Sequence, residues 1–205
     1  MAGLLDLLNS DLGKTLVNSA SQQLGESKGK TTSALTTALP LILGAMKNNT
    51  ATTDGANGLL NALSKKHDGS ILDNLEGVLT NQNVLQDGAG ILGHVFGGKE
   101  QNIAKAVSSK SGIDLNSAMN LLKMAAPVIM GYLGKQAKQQ NVTDSNGIEN
   151  LLGGLLGSGS NDQSLVTKLL DADGDGSVID DIIGMASGGK KGGIGGLLGG
   201  LFGGR

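Results

Sequence analysis

Apolar residues recur at helical spacing along most of the chain. This spacing of three to four residues places the apolar side chains on one face of an α-helix. Sustained alternation of apolar and polar residues, which is typical of strands, is missing. We therefore predict an all-α fold. The clearest stripes are Leu4, Leu5, Leu8 and Leu12 near the start, and Ile103, Val107, Leu115, Met119 and Leu122 later.

Glycine-containing dipeptides interrupt this pattern at intervals and indicate where the predicted helices end. Such dipeptides favour turns because glycine adopts backbone conformations that other residues avoid. They predict a compact bundle of short helices, each of about 8 to 18 residues, joined by tight turns. The dipeptides are Asp54-Gly55, Asp68-Gly69, Asp87-Gly88, Gly97-Gly98 and Asn146-Gly147.

One segment of the chain is repeated 87 positions later. ALPLILG at residues 38–44 matches AAPVIMG at residues 125–131, and the two prolines of the chain, Pro40 and Pro127, fall on equivalent positions. A proline inside a helix costs about 3 kcal/mol and kinks or restarts the helix. A shared proline therefore indicates a shared backbone feature and favours duplication over chance similarity between two leucine-rich helices.

The match extends to both sides of these segments. Gly25 aligns with Gly112, and Ser27 aligns with Asp114, two alternative helix N-caps. After a shift of three residues, Thr53-Asp54 aligns with Thr143-Asp144, and the match continues into Leu59-Leu60 and Leu151-Leu152. The repeat predicts two equivalent helical hairpins that pack face to face and build the core between them.

Several of these segments together resemble a known family. The segments HVFGGK at 94–99 and APVIMG at 126–131 are the most specific ones, and the opening MAGLLDLL, the ALPLILGAM segment and the late DADGDGSVIDDIIG are similar too. Over nearly the whole chain they resemble the bacterial domain-of-unknown-function family 937, the YidB-like group. The resemblance implies a compact helical protein with a tail rich in glycine and leucine, and it implies no activity.

Composition narrows the classes of function. A net charge of −2 argues against a nucleic-acid-binding protein, which would carry a basic face. The lack of cysteine excludes disulfides, thiolate metal sites and a cysteine nucleophile. Asp6 and Asp11 interrupt the apolar N-terminal stretch, so it is not expected to be a signal peptide. The apolar run 38–46 is far shorter than the roughly 20 residues of a membrane span. We expect a cytoplasmic protein.

A cluster of aspartates late in the chain is the best candidate for a metal site. Asp171, Asp173 and Asp175 followed by Gly176 reproduce positions 1, 3, 5 and 6 of a calcium loop, in which carboxylate and carbonyl oxygens surround the ion. Ser177 would add its carbonyl oxygen. Ile182 stands where such a loop has its bidentate carboxylate, so Asp180 or Asp181 would have to replace that ligand in a shortened loop.

A helix cap is the alternative interpretation of this cluster. Residues 68–73 (DGSILD) repeat residues 175–180 (DGSVID), but Ser64 and Lys66 stand in place of Asp171 and Asp173, so the first copy cannot hold calcium. It can begin a helix with Ser70 as the N-cap and Asp73 as its acidic partner. Only Asp171 and Asp173 then require a cation. We predict calcium in a structural role.

Two apparent catalytic motifs carry little weight. Residues 25–31 (GESKGKT) resemble a phosphate-binding loop, but three residues rather than four separate the glycines and no strand precedes them. His67 and His94 lack a second ligand at i+4 for zinc. We expect His94, between Leu92 and Phe96, to be a partly buried structural residue. The chain is therefore expected not to be an enzyme, and a hydrolase built on His94 is the third-ranked alternative.

The C-terminal segment, residues 188–205, is the strongest candidate for an interaction surface. Its large apolar residues follow an i, i+3, i+4, i+7, i+8 helical stripe, and glycines at the other positions let a helix approach a partner closely. We expect self-association or docking on another protein; a membrane surface is the alternative, although the flanking basic residues are few. The stripe consists of Ile194, Leu197, Leu198, Leu201 and Phe202.

These features divide the chain into three parts. Residues 1–157 form the duplicated helical domain, residues 158–187 hold a linker with the aspartate-rich loop and a short helix, and residues 188–205 form the tail. The predicted function is a non-catalytic structural or protein-interaction module.

Overall fold

Helices account for all the regular structure in the residues that the structure, a computed structural model, describes, namely 4–79 and 81–156. No strand occurs in these residues, and the all-α prediction is confirmed. A 3-10 helix, Ser70–Asn74, lies between α4 and α5. The helices are α1 (Leu4–Asn9), α2 (Asp11–Leu24), α3 (Lys28–Asn49), α4 (Thr53–Lys65), α5 (Leu75–Leu79), α6 (Gln82–Phe96), α7 (Glu100–Ser111), α8 (Leu115–Gln139) and α9 (Ser145–Leu155).

Two long helices, α3 and α8, occupy the centre of the fold. They contain 22 and 25 residues, so the predicted upper limit of about 18 residues is wrong. Both helices continue through their prolines, Pro40 and Pro127, which are buried. Proline removes one helical hydrogen bond, and the many apolar side chains buried along each helix outweigh that loss.

The boundaries of the central helices confirm the repeat. Gly25 and Gly112 end α2 and α7 with positive φ angles of 66° and 72°, a left-handed conformation that favours glycine. Ser27 then caps α3 by accepting a hydrogen bond from the amide of Lys30, and Asp114 caps α8 through the amides of Asn116 and Ser117. The aligned residues therefore have the same roles in both copies.

At the start of the last helices the alignment differs from the prediction by two residues, whereas the predicted pairing of Leu59-Leu60 with Leu151-Leu152 agrees with the structure. Thr52 caps α4 and Asp144 caps α9, and each accepts a hydrogen bond from a glycine amide three residues later, at 3.1 Å and 2.8 Å. Thr52 rather than Asp54 is thus equivalent to Asp144. The offset rises from 87 to 92 because α8 is three residues longer than α3 and the connection that follows it is two residues longer.

The two copies exchange contacts rather than packing as separate units. Helix α4 of the first copy contacts α8 of the second, and α9 of the second contacts α3 of the first. Likewise α2 contacts α8 and α7 contacts α3. Neither copy therefore has a complete core of its own. Equivalent buried pairs in this shared core are Leu16 and Ile103, Leu35 and Leu122, and Ile42 and Ile129.

Helix α6 marks the largest difference between the copies. Its last six residues, 91–96, correspond to α1, and its first half adds a further contact along α8. At that contact a Cβ on Gly88 would overlap the carbonyl oxygen of Lys123. The predicted break at Asp87-Gly88 is wrong, because the glycine serves close approach between helices and not a turn.

The corresponding surface of α3 is polar and faces solvent. Thr32, Ser33 and Thr36 are exposed there. The hydroxyl groups of Thr32 and Thr36 donate to the carbonyl oxygens of Lys28 and Thr32, at 2.8 Å and 2.9 Å. The positions of α3 that are equivalent to the part of α8 covered by α6 therefore carry polar side chains.

Candidate functional site

A groove of about 650 Å³ opens between the start of α2, the 3-10 helix and the C-terminal half of α8. This volume lies in the range of small-ligand pockets. Leucine and tyrosine side chains form its apolar part, and charged groups lie on its rim. The residues that matter here are Leu12, Leu72, Asp73, Tyr132, Lys135 and Gln136.

Glycines of α8 allow the 3-10 helix to form one wall of this groove. A Cβ on Gly131 would overlap the side chain of Ile71, and a Cβ on Gly134 would overlap the carbonyl group of His67. The segment from His67 to Leu72 therefore lies directly on the backbone of α8. The wall is held by shape complementarity at two positions where only glycine fits.

The turn that leads into this wall differs from the predicted cap. The carboxylate of Asp68 accepts the hydrogen bond from the amide of Ser70 at 3.1 Å, and Gly69 has a φ of 104°. Ser70 is the first residue of the 3-10 helix, and that helix has no side-chain cap hydrogen bond. The prediction of Ser70 as N-cap with Asp73 as its partner is wrong, because the aspartate two residues earlier already satisfies the free amide.

Tyr132, the one tyrosine of the chain, lies partly buried in the groove. Burial raises the pKa of its phenol, the negative charge of Asp6 raises it further, and a hydrogen bond with Gln136 opposes them. The phenol is therefore neutral at physiological pH. It can bind through its ring and through hydrogen bonds, and it is unsuited to act as a nucleophile.

The two histidines of the chain have different environments. His94 is exposed on α6, so the prediction of a partly buried side chain is wrong; Leu92 and Phe96 face inward, and residue 94 falls on the outer side. Its carbonyl oxygen accepts a hydrogen bond from Asn49 at 3.2 Å.

His67 is the buried histidine, with 8% of its surface exposed. Its Nε2 lies 3.9 Å from a carboxylate oxygen of Asp87. Burial lowers the pKa of His67 more than the charge of Asp87 raises it, and Lys66 lowers it further. The imidazole is thus favoured in its neutral form, as a packed structural group. In the sequence, the adjoining Asp68-Gly69 turn is the only feature that marks the region around His67.

The apparent phosphate-binding loop is a helix boundary. Gly25 ends α2 and Ser27 begins α3, while the Thr31 hydroxyl donates to the Ser27 carbonyl oxygen at 3.0 Å. Lys30 pairs with Glu26 at 3.5 Å. These residues form hydrogen bonds and an ion pair with one another at the boundary between α2 and α3. This arrangement agrees with the interpretation of the motif as a structural turn.

The predicted site residues lie outside the described residues. They are Asp171, Asp173, Asp175, Ser177, Asp180 and Asp181 of the aspartate-rich loop, and Ile194, Leu197, Leu198, Leu201 and Phe202 of the tail. Within 4–79 and 81–156, no three histidine or acidic residues come close enough to hold a metal ion. In the same ranges no helix has the length and apolar character that crossing a membrane requires.

Comparison with known proteins identifies one family. The model of a family described as "Bacterial protein of unknown function (DUF937)" matches residues 6–136. The match therefore begins within α1, covers α2 to α7 and ends within α8. Neither the curated proteins nor the solved structures contain a match to the chain.

Proposed function

The chain belongs to the bacterial DUF937 family, whose function is unknown. We propose that it is a non-catalytic cytoplasmic interaction module that self-associates through residues 188–205. The folded helical domain then serves as a stable platform for this segment.

The distribution of apolar residues supports this proposal. In the described part of the chain, Leu115 is the one large apolar side chain that is exposed, at 41%. Residues 188–205, by contrast, carry five large apolar residues at helical spacing among glycines. The segment therefore offers the chain's most concentrated apolar stripe for a partner.

The glycines favour a second copy of the segment as that partner. Gly195 and Gly199 lie four residues apart, as do Gly196 and Gly200, so each pair forms a ladder of small residues on a helix. Such ladders let two backbones approach closely. Isolated helices this rich in glycine are unstable in water, because each glycine costs roughly 1 kcal/mol relative to alanine. Helix formation is thus expected to be coupled to association.

Sedimentation velocity of the full chain tests the proposal. The double variant Leu197→Gln and Leu201→Gln removes the centre of the stripe and should sediment as a monomer at concentrations where the wild type associates. The matched variant Lys190→Gln and Lys191→Gln leaves the stripe intact and should associate like the wild type. Equal association of all three proteins contradicts the proposal.

Phospholipid vesicles separate the membrane alternative from self-association. A wild type that stays monomeric in solution, but sediments with anionic vesicles in a manner that depends on Leu197 and Leu201, overturns self-association in favour of a membrane surface. We expect no such binding, because only Lys190, Lys191 and Arg205 provide positive charge near the stripe.

Calcium binding stays a prediction about the segment between the domain and the tail. Asp171, Asp173 and Asp175 offer the alternating carboxylates that a hard divalent cation requires. We propose a structural role in which the ion holds the aspartate-rich loop together.

A further inference from the structure

The segment 68–79, here called the first DGS unit, docks on the central helix of the other copy. Ile71 lies over Gly131 of α8 without room for a Cβ, and a Cβ on Gly69 would lie 2.9 Å from the Cβ of Lys135. Leu75 and Leu79 of the same unit are buried, with 5% and 0% of their surfaces exposed. The first DGS unit is thus a packed part of the fold.

The chain contains a second copy of this whole unit. Residues 175–186, DGSVIDDIIGMA, align with residues 68–79, DGSILDNLEGVL, at an offset of 107 without a gap. Val178 corresponds to Ile71, and Ile182 corresponds to the buried Leu75. We call residues 175–186 the second DGS unit. The side chains that dock the first unit therefore have apolar counterparts in the second.

Helix α3 carries a docking position equivalent to the one on α8. Gly44 of α3 stands 87 positions before Gly131 of α8. A Cβ on Gly44 would meet no atom of the described residues within 4 Å, and Gly44 is partly exposed whereas Gly131 is buried. No described residue therefore fills on α3 the notch that Ile71 fills on α8.

The described helix that precedes the second DGS unit in the chain packs on α3. Helix α4 packs on α8 and leads into the first unit, whereas α9 packs on α3 and leads towards the second. Residues 156–174 connect α9 to the second unit. A connection of this length reaches at most roughly 60 Å when fully extended, so it permits docking on α3.

We propose that the second DGS unit, residues 175–186 of this chain, docks on α3 with Val178 over Gly44. Two of the positions at which α8 contacts the first unit have a different residue in α3. Asn48 of α3 is equivalent to Lys135 of α8. Lys135 lies against the first unit at its Cβ. Asparagine also has a Cβ, so this difference does not remove the contact.

The second difference lies at the position equivalent to Gly134, where α3 has Lys47. Gly134 accommodates the carbonyl group of His67, and a side chain at this position would overlap that group. The second unit is preceded by Gly174 in place of His67, so its backbone can follow a different path there.

Docking gives a structural role to two of the predicted calcium ligands. In the first unit, Asp68 accepts from the Ser70 amide at 3.1 Å and Asn74 accepts from the Gly77 amide at 3.4 Å. Their counterparts are Asp175 and Asp181. These two carboxylates then cap backbone amides, whereas Asp171 and Asp173 precede the unit and align with Ser64 and Lys66, which are not acidic.

A disulfide test is direct because the natural chain contains no cysteine. The full-length double variant Gly44→Cys and Val178→Cys should form an intramolecular disulfide under mild oxidation, since such a bond requires Cβ atoms about 3.5 to 4.5 Å apart. The matched variant Thr32→Cys and Val178→Cys places the helix cysteine on an exposed position of α3, roughly 18 Å further along the axis. Peptide mapping should find the bond severalfold more often in the first variant.

Three outcomes overturn the proposal. The first is an equal yield of disulfide in both variants, and the second is the absence of a bond in either variant. The third is a bond between two chains, visible as a dimer on a non-reducing gel, which would assign the notch to a second copy. Far-UV circular dichroism and thermal melting verify that each variant is folded.

Hydrogen exchange of the unmodified chain provides a second measurement that needs no cysteine. Amides 179–186 should be protected in the wild type, and Gly44→Trp, which fills the notch, should remove that protection. Leu197→Gln with Leu201→Gln should leave it unchanged, so failure of this proposal is distinguishable from failure of self-association. Unprotected amides in the wild type overturn the proposal.

Discussion

Gly88 of α6 lies directly against the carbonyl oxygen of Lys123 in α8. That oxygen stands four residues before Pro127, which has no amide hydrogen to donate to it. The missing side chain of Gly88 lets the two helices approach closely at the oxygen to which Pro127 cannot donate. The proline in one helix and the glycine in the other therefore belong to one packing arrangement.

Substitution of Gly88 tests this arrangement. Gly88→Ala should lower the free energy of unfolding by about 1 to 3 kcal/mol, because the added methyl group forces α6 away from α8. Gly90→Ala is the matched control in the same helix, since a Cβ there meets no atom within 4 Å. It should raise the free energy of unfolding by up to about 1 kcal/mol through helix propensity. Urea denaturation measures both, and a loss at Gly90 as large as that at Gly88 would refute the explanation.

The helix caps test the alignment of the two copies. Thr52→Ala and Asp144→Ala should each lower the free energy of unfolding by about 1 kcal/mol, because each leaves a glycine amide without its partner. Asp54→Ala should cost only about 0.3 kcal/mol, since Asp54 lies within the first turn of α4 and acts through the helix dipole alone. Thermal or urea unfolding ranks the three. A larger loss at Asp54 than at Thr52 would restore the alignment of Asp54 with Asp144.

The sequence predicts the local structure of the repeat better than its packing. Gly25, Gly112, Ser27 and Asp114 act where the alignment places them, because capping depends on residues that are close in sequence. The role of Gly88 depends on a contact between α6 and α8. The spacing of residues along the sequence does not reveal such contacts. An Asp-Gly pair is typical of a turn, whether or not its glycine lies in a contact between helices.

The sequence predicts the residues of the candidate site less well than it predicts the fold. Tyr132 enters the groove because the 3-10 helix docks on α8 at Gly131, a contact made by residues 60 positions apart. His67 is buried and His94 is exposed, although only His94 has large apolar neighbours in the sequence. Burial follows the face of the helix and the packing around it, and adjacent apolar residues predict it poorly.

The buried His67 should make stability depend on pH. Because the pKa of His67 is lowered below its ordinary value of 6.5 in the folded protein, the unfolded chain takes up a proton first as the pH falls. Stability is therefore greatest above the ordinary pKa and declines as the pH falls from about 7.5 through the lowered value. Urea denaturation at pH 7.5 and 5.5 measures this decline.

Two variants isolate the contribution of His67. His67→Gln should make the decline between pH 7.5 and 5.5 shallower, whereas His94→Gln, at an exposed position, should leave it unchanged. Parallel curves for the wild type and His67→Gln would show that other groups cause the pH dependence.

Calorimetric titration tests the aspartate-rich loop. Calcium should release or absorb heat on binding to the full chain, and the double variant Asp171→Ala with Asp173→Ala should abolish the signal. The double variant Asp6→Ala with Asp73→Ala, which alters acidic residues at the groove, serves as the control and should bind like the wild type. Absence of heat at millimolar calcium in the wild type would refute calcium binding.

Hydrogen exchange of residues 192–204 at several protein concentrations tests the proposed function most directly. If the stripe becomes helical only when a second copy covers it, the amides around Leu197 and Leu201 should gain protection as the concentration rises. The variant Leu197→Gln with Leu201→Gln should show no such gain. Protection that is equal at all concentrations, or absent throughout, would contradict self-association through this segment.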